Sequence, residues 1–169
     1  HKATAEMTGT LTAKEIEVSA EDRSNFRTLG SGATVTLPTD LNANNIALGV
    51  AVSVNKNKAE SKVSGTLTAT GSGAIKVKST TTANMDGAYR GLLGAQAIAC
   101  SVAGLGGKVG LAGAAAVIVA NAKSIVEIAS TAVLTGGAIT VTATDQSKLA
   151  VRAGAVSATG ASVGVGASF

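Results

Sequence analysis

The stretch GTLTAKEIEVSA at 9–20 returns later in the chain as a close copy, GTLTATGSGAIKVKS, at 65–79. A third and looser copy, AVLTGGAITVTA, occupies 132–143. All three share the pattern L-T-x-x-x-I-x-V-x-[AS], and the second copy carries three additional residues between its leucine and its isoleucine. The chain is therefore built from a repeated unit, and this repeat is the strongest indication of its fold.

The apolar residues of the pattern serve as anchors for aligning the copies. The isoleucines fall at positions 16, 75 and 139, at nearly equal intervals, so one unit is about 60 residues long. Upstream, Met7 and Gly9 correspond to Val63 and Gly65. The aligned anchors are Leu11, Ile16, Val18 and Ala20; Leu67, Ile75, Val77 and Ser79; and Leu134, Ile139, Val141 and Ala143.

Each copy alternates with a period of two residues. In the second copy Ile75 and Val77 alternate with Lys76 and Lys78, and such alternation is typical of a half-buried strand. Glycine and serine between the leucine and the isoleucine indicate a tight corner. Each copy is therefore predicted to form two short strands joined by a corner.

A glycine-rich or alanine-rich strand is predicted to close each unit. The first ends at Asn55, the second ends at Asn121, and GASVGVGASF at 160–169 is the third. The units therefore run roughly over 1–55, 56–121 and 122–169 of a single segment. The stretches 21–47 and 80–112 are unlike each other, and we expect them to be loops, where a specific function could lie.

The composition favours an all-β fold with a thin core. Val, Ile and Thr, which favour strands, are abundant. The chain has 21 Gly, one Pro and no Trp, and its apolar residues are mostly Ala and Val. Side chains this small suit closely spaced backbone layers, because they cannot fill a wide core at native packing density.

Short strands with small inward residues bury little area alone and become stable when copies stack. We therefore predict a parallel β-helix, or β-solenoid, in which each unit of about 60 residues divides into about three coils of about 20 residues. Eight such coils would make a rod of roughly 40 Å. The alternative is a β-sandwich, which also shows alternation and frequent turns but does not require the sequence to repeat.

The net charge of +4 is mild, and its densest basic stretch comprises Lys56, Lys58, Lys62, Lys76 and Lys78. These lysines are predicted to be a solvated face. The alternative is a face that contacts an anionic ligand such as a glycan or lipopolysaccharide. Nucleic acid is not an expected partner, because single strands need aromatic stacking platforms and the chain has almost none.

Catalytic and cofactor motifs are not expected in this chain. The lone cysteine, Cys100, is predicted to be a buried small hydrophobe, and the lone histidine is His1, so no metal-ligand cluster and no nucleophile–base pair is predicted. The stretch GLGGKVG lacks a Ser or Thr after Lys108 and does not match a phosphate loop. Glu15 and Glu17 have a spacing near that of glycosidase carboxylates, but sugar subsites need aromatic residues.

No transmembrane segment is predicted. The low-charge run at 91–120 contains Gln96 and Lys108, and the lysine divides it into pieces too short to span a bilayer. The first residues, HKATAEM, lack the features of a signal peptide. We therefore expect a fragment of a longer chain.

GTLTAKEIEVSA resembles the strands of filamentous-haemagglutinin-type exoproteins, and VRAGAVSATGASVGVGASF at 151–169 is similar to the repeats of leukotoxin-like proteins and autotransporter passengers. The resemblance covers nearly the whole chain. It implies a right-handed parallel β-helix, export to the bacterial cell surface or medium, and a stalk or adhesin that contacts a host or neighbouring cell through a glycan or protein.

The predicted function is thus that of a structural and adhesive stalk segment without catalysis and without a cofactor. One alternative is a self-assembling extracellular filament subunit, because exposed strand edges at the two ends could pair end to end. A further alternative is a carbohydrate-active β-helix enzyme, which a stacked cluster of acidic and basic side chains on one face would support.

Overall fold

The computed structural model describes residues 1–25, 27–35, 44–84, 94–102, 109–158 and 162–168. Within these residues the chain is all-β and contains no helix, which confirms the predicted fold class at this level. The strands, in chain order, are β1 (Lys2–Met7), β2 (Thr10–Ala13), β3 (Ile16–Asn25), β4 (Arg27–Val35), β5 (Asn44–Val63), β6 (Thr66–Ala69), β7 (Ala74–Asn84), β8 (Gly94–Val102), β9 (Val109–Ile128), β10 (Val133–Thr135), β11 (Ala138–Lys148), β12 (Val151–Ala158) and β13 (Ser162–Ser168).

The strands form parallel sheets whose neighbours come from successive repeats. One sheet has the order β1-β5-β9-β13, and the other three have the orders β10-β6-β2, β11-β7-β3 and β12-β8-β4. The ladders between these strands that are described below are parallel. A Greek-key sandwich is instead built from antiparallel strands.

The register places equivalent residues of the repeat on top of one another. Leu67 pairs with Leu11 on one side and with Leu134 on the other. Ile75 pairs with Ile139 in the ladder between β7 and β11. The alignment of the anchors is therefore confirmed at these positions. The predicted corners are also present, since β2 and β3, β6 and β7, and β10 and β11 are each separated by a few residues.

The predicted division of each unit into shorter coils is wrong. Lys2 pairs with Lys58, and Thr66 pairs with Val133, so the partners in a ladder are separated along the chain by one full repeat. Each layer therefore contains one full repeat, and the three repeats supply three layers of strands. The predicted count of eight coils is wrong for the same reason.

The prediction of loops over 21–47 and 80–112 is also wrong where the structure describes these residues. β4 and β8 lie inside the two stretches and pair in parallel from Arg27–Gly94 to Val35–Val102. Their inward positions are glycine, alanine and threonine, so they lack the large inward anchors that marked the other strands. The parts at 36–43, 85–93 and 103–108 lie outside the described residues.

The strands predicted to end at Asn55 and Asn121 continue beyond these residues. β5 and β9 are each 20 residues long, and both asparagines lie inside them. The alternation also continues past Asn55, because Asn57, Ala59, Ser61 and Val63 are buried in turn. The third strand of this kind, β13, pairs with β9 as the repeat required.

The chain divides into two compact units, and unit 1 comprises residues 1–24, 56–84 and 121–148. Its aliphatic cluster is Ile16, Val18, Val63, Leu67, Ala69, Ile75 and Val77. In the middle layer Leu67 and Ile75 are 0% exposed, whereas Ile139 in the third layer is 46% exposed. The middle repeat is thus buried because it has a layer on each side.

A polar seam runs between two sheets of unit 1. The Ser79 hydroxyl donates to the Ala59 carbonyl at 2.7 Å, and the Ser61 hydroxyl donates to the Lys78 carbonyl. These bonds join β5 to β7 across the interior. Because a serine side chain reaches the facing backbone directly, the two sheets lie close together here, and the buried hydroxyls are hydrogen-bonded as interiors require.

Unit 2 comprises residues 25–55, 85–120 and 149–169. Its buried hydrophobic cluster consists of eight alanines: Ala47, Ala51, Ala95, Ala97, Ala99, Ala112, Ala114 and Ala116. A Cβ on Gly30 would lie 1.8 Å from the Val50 carbonyl oxygen, and a Cβ on Gly32 would lie 2.0 Å from that of Leu48. The predicted thin core is therefore present, and parts of it have no room for a side chain.

We expect Gly30→Ala to destabilise the protein by about 3 kcal/mol or more, because an added methyl would overlap a backbone carbonyl that cannot move aside alone. Gly154→Ala is the matched control, because Gly154 lies in β12 and its Cβ would meet no atom within 4 Å. The control is expected to change stability by less than about 1 kcal/mol and in the stabilising direction. Urea unfolding followed by circular dichroism measures both.

Equal stability of the Gly30→Ala and Gly154→Ala variants would show that the two sheets of unit 2 are further apart than described.

Candidate functional site

The five lysines of the predicted basic face lie on two strands of unit 1. Lys56, Lys58 and Lys62 alternate with the buried positions of β5, and Lys76 and Lys78 alternate with those of β7. The inward residues of the two strands face each other across the polar seam. The lysines of β5 and those of β7 therefore project from opposite sides of this pair of strands. Binding of an anionic ligand stays a prediction, and the structure does not bring the five side chains to one surface.

Two lysines of β5, Lys58 and Lys62, lie against one carboxylate, that of Glu60, which is buried beneath them. The Lys58 ammonium lies 2.8 Å from Glu60 Oε2, and the Lys62 ammonium lies 3.4 Å from Oε1. The ammonium of Lys2, on the neighbouring strand β1, lies 3.8 Å from Oε2. Lys62 also contacts Glu127 of β9 at 3.1 Å. We call these five residues the Glu60 network.

The register of the strands explains why these charges meet. Lys2 is opposite Lys58 and Thr4 is opposite Glu60 in the ladder between β1 and β5. Side chains on one face of a parallel ladder are about 4.8 Å apart across strands, which is within reach of a long lysine. A carboxylate at Glu60 therefore neutralises lysines that would otherwise repel one another on this face.

Two pKa values in the network depart from their ordinary range. Hydrogen bonding from Lys58 lowers the pKa of the Glu60 carboxyl, burial opposes this, and hydrogen bonding from Lys62 acts in the same direction as Lys58. Hydrogen bonding to Glu127, and then to Glu60, raises the pKa of the Lys62 ammonium. Both shifts favour the charged forms, so the network is held in its ionised state at neutral pH.

The lysines of β7 lie beside two exposed glutamates of the first repeat. Lys78 is 3.5 Å from Glu17. Lys76 lines a hollow of about 240 Å³ with Glu15 and Glu17. This is the acidic and basic grouping that the carbohydrate-active alternative requires. The hollow is small and contains no aromatic side chain among its lining residues, and aromatic faces are what sugar rings stack upon.

Two of the five lysines of the predicted basic face belong to none of these ion pairs. Within the described part of the chain, neither Lys56 nor Lys76 has a carboxylate within ion-pair distance. The backbone carbonyl of Lys56 accepts a hydrogen bond of 2.9 Å from the amino group of His1.

Other predicted features are placed as follows. Cys100 is a free, half-buried thiol, so the prediction of a buried cysteine is wrong. Its neighbour along β8, Ala99, is 0% exposed, so Cys100 occupies the alternate, outward position of the strand. Lys108 lies outside the described residues. Over the described residues, no three His, Cys, Asp or Glu side chains are grouped to hold a metal ion, and no helix has the length and hydropathy to cross a membrane.

Sequence reasoning missed an exposed aliphatic face in unit 2. On β5 the residues Ile46, Leu48, Val50, Val52 and Val54 point outward, and their exposed fractions run from 55% to 69%. The signal was present, because these large residues alternate with Ala47, Gly49, Ala51 and Ser53. Alternation does not say which set faces inward, and the usual assumption that large apolar residues are buried gives the opposite answer.

Comparisons of the chain with family models, with curated proteins and with solved structures found no match.

We expect Glu60→Gln to destabilise the protein at neutral pH, because it removes the negative charge shared by several lysines. The folded-state pKa of Glu60 is lowered, so its contribution to stability is present above the unfolded pKa of 4.5 and is lost as the pH falls through the folded value. The free energies of unfolding of the wild type and the variant should therefore converge at acidic pH. Urea titrations at several pH values measure this convergence.

Glu15→Gln is the control for Glu60→Gln, because Glu15 is exposed and has no ion pair among the described residues. A loss of stability that is equal for the two variants, or that persists unchanged in acid, would contradict the role assigned to the Glu60 network.

Proposed function

We propose that this chain is a structural and adhesive stalk segment of a large secreted bacterial surface protein, built as a β-solenoid and without a catalytic role. The observation that carries the proposal is the in-register stacking of equivalent residues one repeat apart, as in the row Leu11, Leu67 and Leu134. A fold in which each repeat covers the next can be extended by adding repeats, which is what a stalk needs.

The parallel ladders support a mechanical function. Strands β3, β7 and β11 belong to successive repeats and lie side by side in one sheet. The ladder between β7 and β11 alone joins 11 residue pairs. Separating two layers therefore requires many backbone hydrogen bonds to break together, and strands held in this way offer proteases few accessible segments.

The chemistry of the surface supports the same proposal. In unit 1 the outward positions of β7 carry Lys76, Lys78, Thr80 and Thr82, a hydrophilic face suited to solvent. The resemblance to filamentous-haemagglutinin-type exoproteins and autotransporter passengers supports an extracellular location. Adhesion would use this hydrophilic surface or the segments that connect the strands.

A self-assembling filament subunit is the second candidate, and one observation favours it. Ile139 and Val141 in the third layer are 46% and 50% exposed, whereas their partners Ile75 and Val77 in the middle layer are 0% exposed. A first layer from another copy would cover these side chains as the third layer covers the second. Filaments with a layer spacing near about 4.8 Å in cryo-electron microscopy would establish this candidate.

Single-molecule force spectroscopy, with the chain pulled from its two termini, tests the stalk proposal. We expect unfolding in steps that each release one repeat, about 200 Å of extended chain for about 60 residues. Leu67→Ala is expected to lower the unfolding force more than Leu11→Ala, because Leu67 is 0% exposed and Leu11 is 39% exposed.

Unfolding of the whole chain in one step of about 600 Å would contradict the proposal, because it would mean that the layers are not separate units. Equal effects of the two leucine substitutions would contradict the burial of the middle layer on which the proposal rests.

A further inference from the structure

Along residues 44–55 of β5, unit 2 places small residues inside and large aliphatic residues outside. The inner side of its segment 44–55 of β5 consists of Ala47, Gly49, Ala51 and Ser53 among others, while the outer side is aliphatic. β9 repeats the arrangement, with Ala112, Ala114 and Ala116 buried. The exposed side chains that share this outer face form what we call the aliphatic ribbon: Ile46, Leu48, Val50, Val52 and Val54 of β5, and Leu111 and Val119 of β9.

The two strands of the ribbon are neighbours in one sheet. A Cβ on Gly113 of β9 would lie 3.1 Å from the Leu48 Cδ2 atom, so the two strands present the same face at this point. The ribbon is therefore continuous. Its part on β5 also carries no charge, because residues 44–55 contain no Asp, Glu, Lys or Arg.

This face is not a general property of the strands in this chain. In unit 1 the outward positions of β5 carry Lys56, Lys58, Glu60 and Lys62, and the change occurs directly after Asn55. An exposed aliphatic face this large has a cost in water, and on ordinary proteins it marks an interaction surface. Large aliphatic residues occupy five outward positions in a row along β5, from Ile46 to Val54. This row of exposed side chains is the feature that requires a partner.

The area and the chemistry of the ribbon indicate what the partner is. At roughly 100 Å² for each of seven side chains, the ribbon offers on the order of 700 Å² of apolar surface. Each partner in a standard protein interface buries about 800 Å². The ribbon has no side-chain hydrogen-bonding group, so its partner must also be flat and aliphatic. A second copy of this chain supplies such a surface in its own ribbon.

We infer that the aliphatic ribbon is a self-association surface, which packs face to face against the ribbon of a second copy of this chain. A two-fold axis makes such an interface isologous, so one patch is enough for both partners. Two sheets packed in this way would stand about 10 Å apart, with their aliphatic side chains interdigitated between them. This inference goes beyond the stalk proposal and does not depend on it.

A lipid surface suits the ribbon less well. The chain has no Trp and one Tyr, and these are the residues that concentrate at membrane interfaces. Among the described strands of unit 2, β4 and β12 also lie at the edges of their sheet, and hydrocarbon cannot satisfy the N–H and C=O groups of a sheet edge. The second copy has neither difficulty, because its edges stay in water when the faces meet.

Sedimentation velocity of the full chain over about 1 µM to 100 µM tests the inference. The wild type is expected to shift from monomer to dimer across this range. Val50→Lys is expected to weaken the dimer at least tenfold, because it places an uncompensated charge in the middle of an aliphatic interface. Val156→Lys is the matched control, since Val50 and Val156 are both 62% exposed but Val156 lies on β12 in another sheet.

A second variant shows whether a weaker dimer results from loss of the interface or from misfolding. Val50→Thr with Val52→Thr keeps the shape of the side chains and their preference for strands, and it should weaken the dimer while leaving the circular dichroism spectrum unchanged. A wild type that stays monomeric at the highest concentration would overturn the inference. So would equal dimerisation of the Val50→Lys and Val156→Lys variants, which would place the contact elsewhere, including at the strand edges of the end layers.

Flotation with phosphatidylcholine and phosphatidylglycerol vesicles tests whether the ribbon binds a lipid surface instead of a second copy of the chain. We expect the wild-type dimer to stay in the lower fraction, with protein that is not bound to vesicles. A wild type that is monomeric in solution, floats with vesicles and loses this property in the Val50→Lys variant would overturn self-association and assign the ribbon to lipid.

Discussion

The close approach of facing backbones is the constraint on which the rest of this structure depends. In unit 2 the carbonyl oxygens of Val50 and Leu48 lie where the Cβ atoms of Gly30 and Gly32 would be. Between sheets at this distance the interior is filled mostly by glycine and alanine, so the hydrophobic area that a chain normally buries inside cannot be placed there. The large aliphatic residues of the same strands are therefore on the outside, and the exposed ribbon follows from the thin core. The stability of such a unit depends on backbone ladders more than on side-chain burial, because an alanine contributes little transfer free energy.

Unit 1 accommodates the same repeat differently. Around the corner formed by β6 and β7 the interior is wide enough for Leu67, Ile75 and Val77, and these are 0% exposed. Further along the strands the interior narrows, and serine and threonine replace the aliphatic residues. The Thr81 backbone N–H donates to the Ser124 hydroxyl at 2.9 Å, and the Ser79 hydroxyl reaches a facing carbonyl. Such bonds satisfy buried polar groups and fix the register of one sheet against the other, since a slip by one residue would turn every hydroxyl to the outside. On the surface, the Glu60 network holds neighbouring strands of the ladder together through charge.

The repeat made much of the fold predictable. The anchors Leu67 and Ile75 were aligned from the sequence with the residues that pair with them, because equivalent positions of a stacked repeat occupy equivalent places in the layer. The length of the layer was not predictable in this way. Nothing in the alternation of Gly30 and Gly32 with larger residues indicates that β4 is a strand with its small side inward, so each layer was predicted to be a short coil instead of a full repeat. Lys76 and Lys78 lie on a strand as predicted, whereas Lys56 and Lys58 lie on β5 beyond the strand end predicted at Asn55. Which strands face each other depends on the polar seam, whose serines carry no distinguishing signal in the sequence.

Cysteine cross-linking across one ladder tests most directly the claim that each layer is one full repeat in register. Thr12 and Thr68 are opposite each other in the ladder between β2 and β6, at a strand spacing of about 4.8 Å that permits a disulfide. In a Cys100→Ala background, we predict that Thr12→Cys with Thr68→Cys forms an intramolecular disulfide under mild oxidation. Thr10→Cys with Thr68→Cys is out of register and should not cross-link, because its Cα atoms are more than about 7 Å apart. Failure of the first pair, or cross-linking of both pairs at the same rate, would contradict the stacking of full repeats.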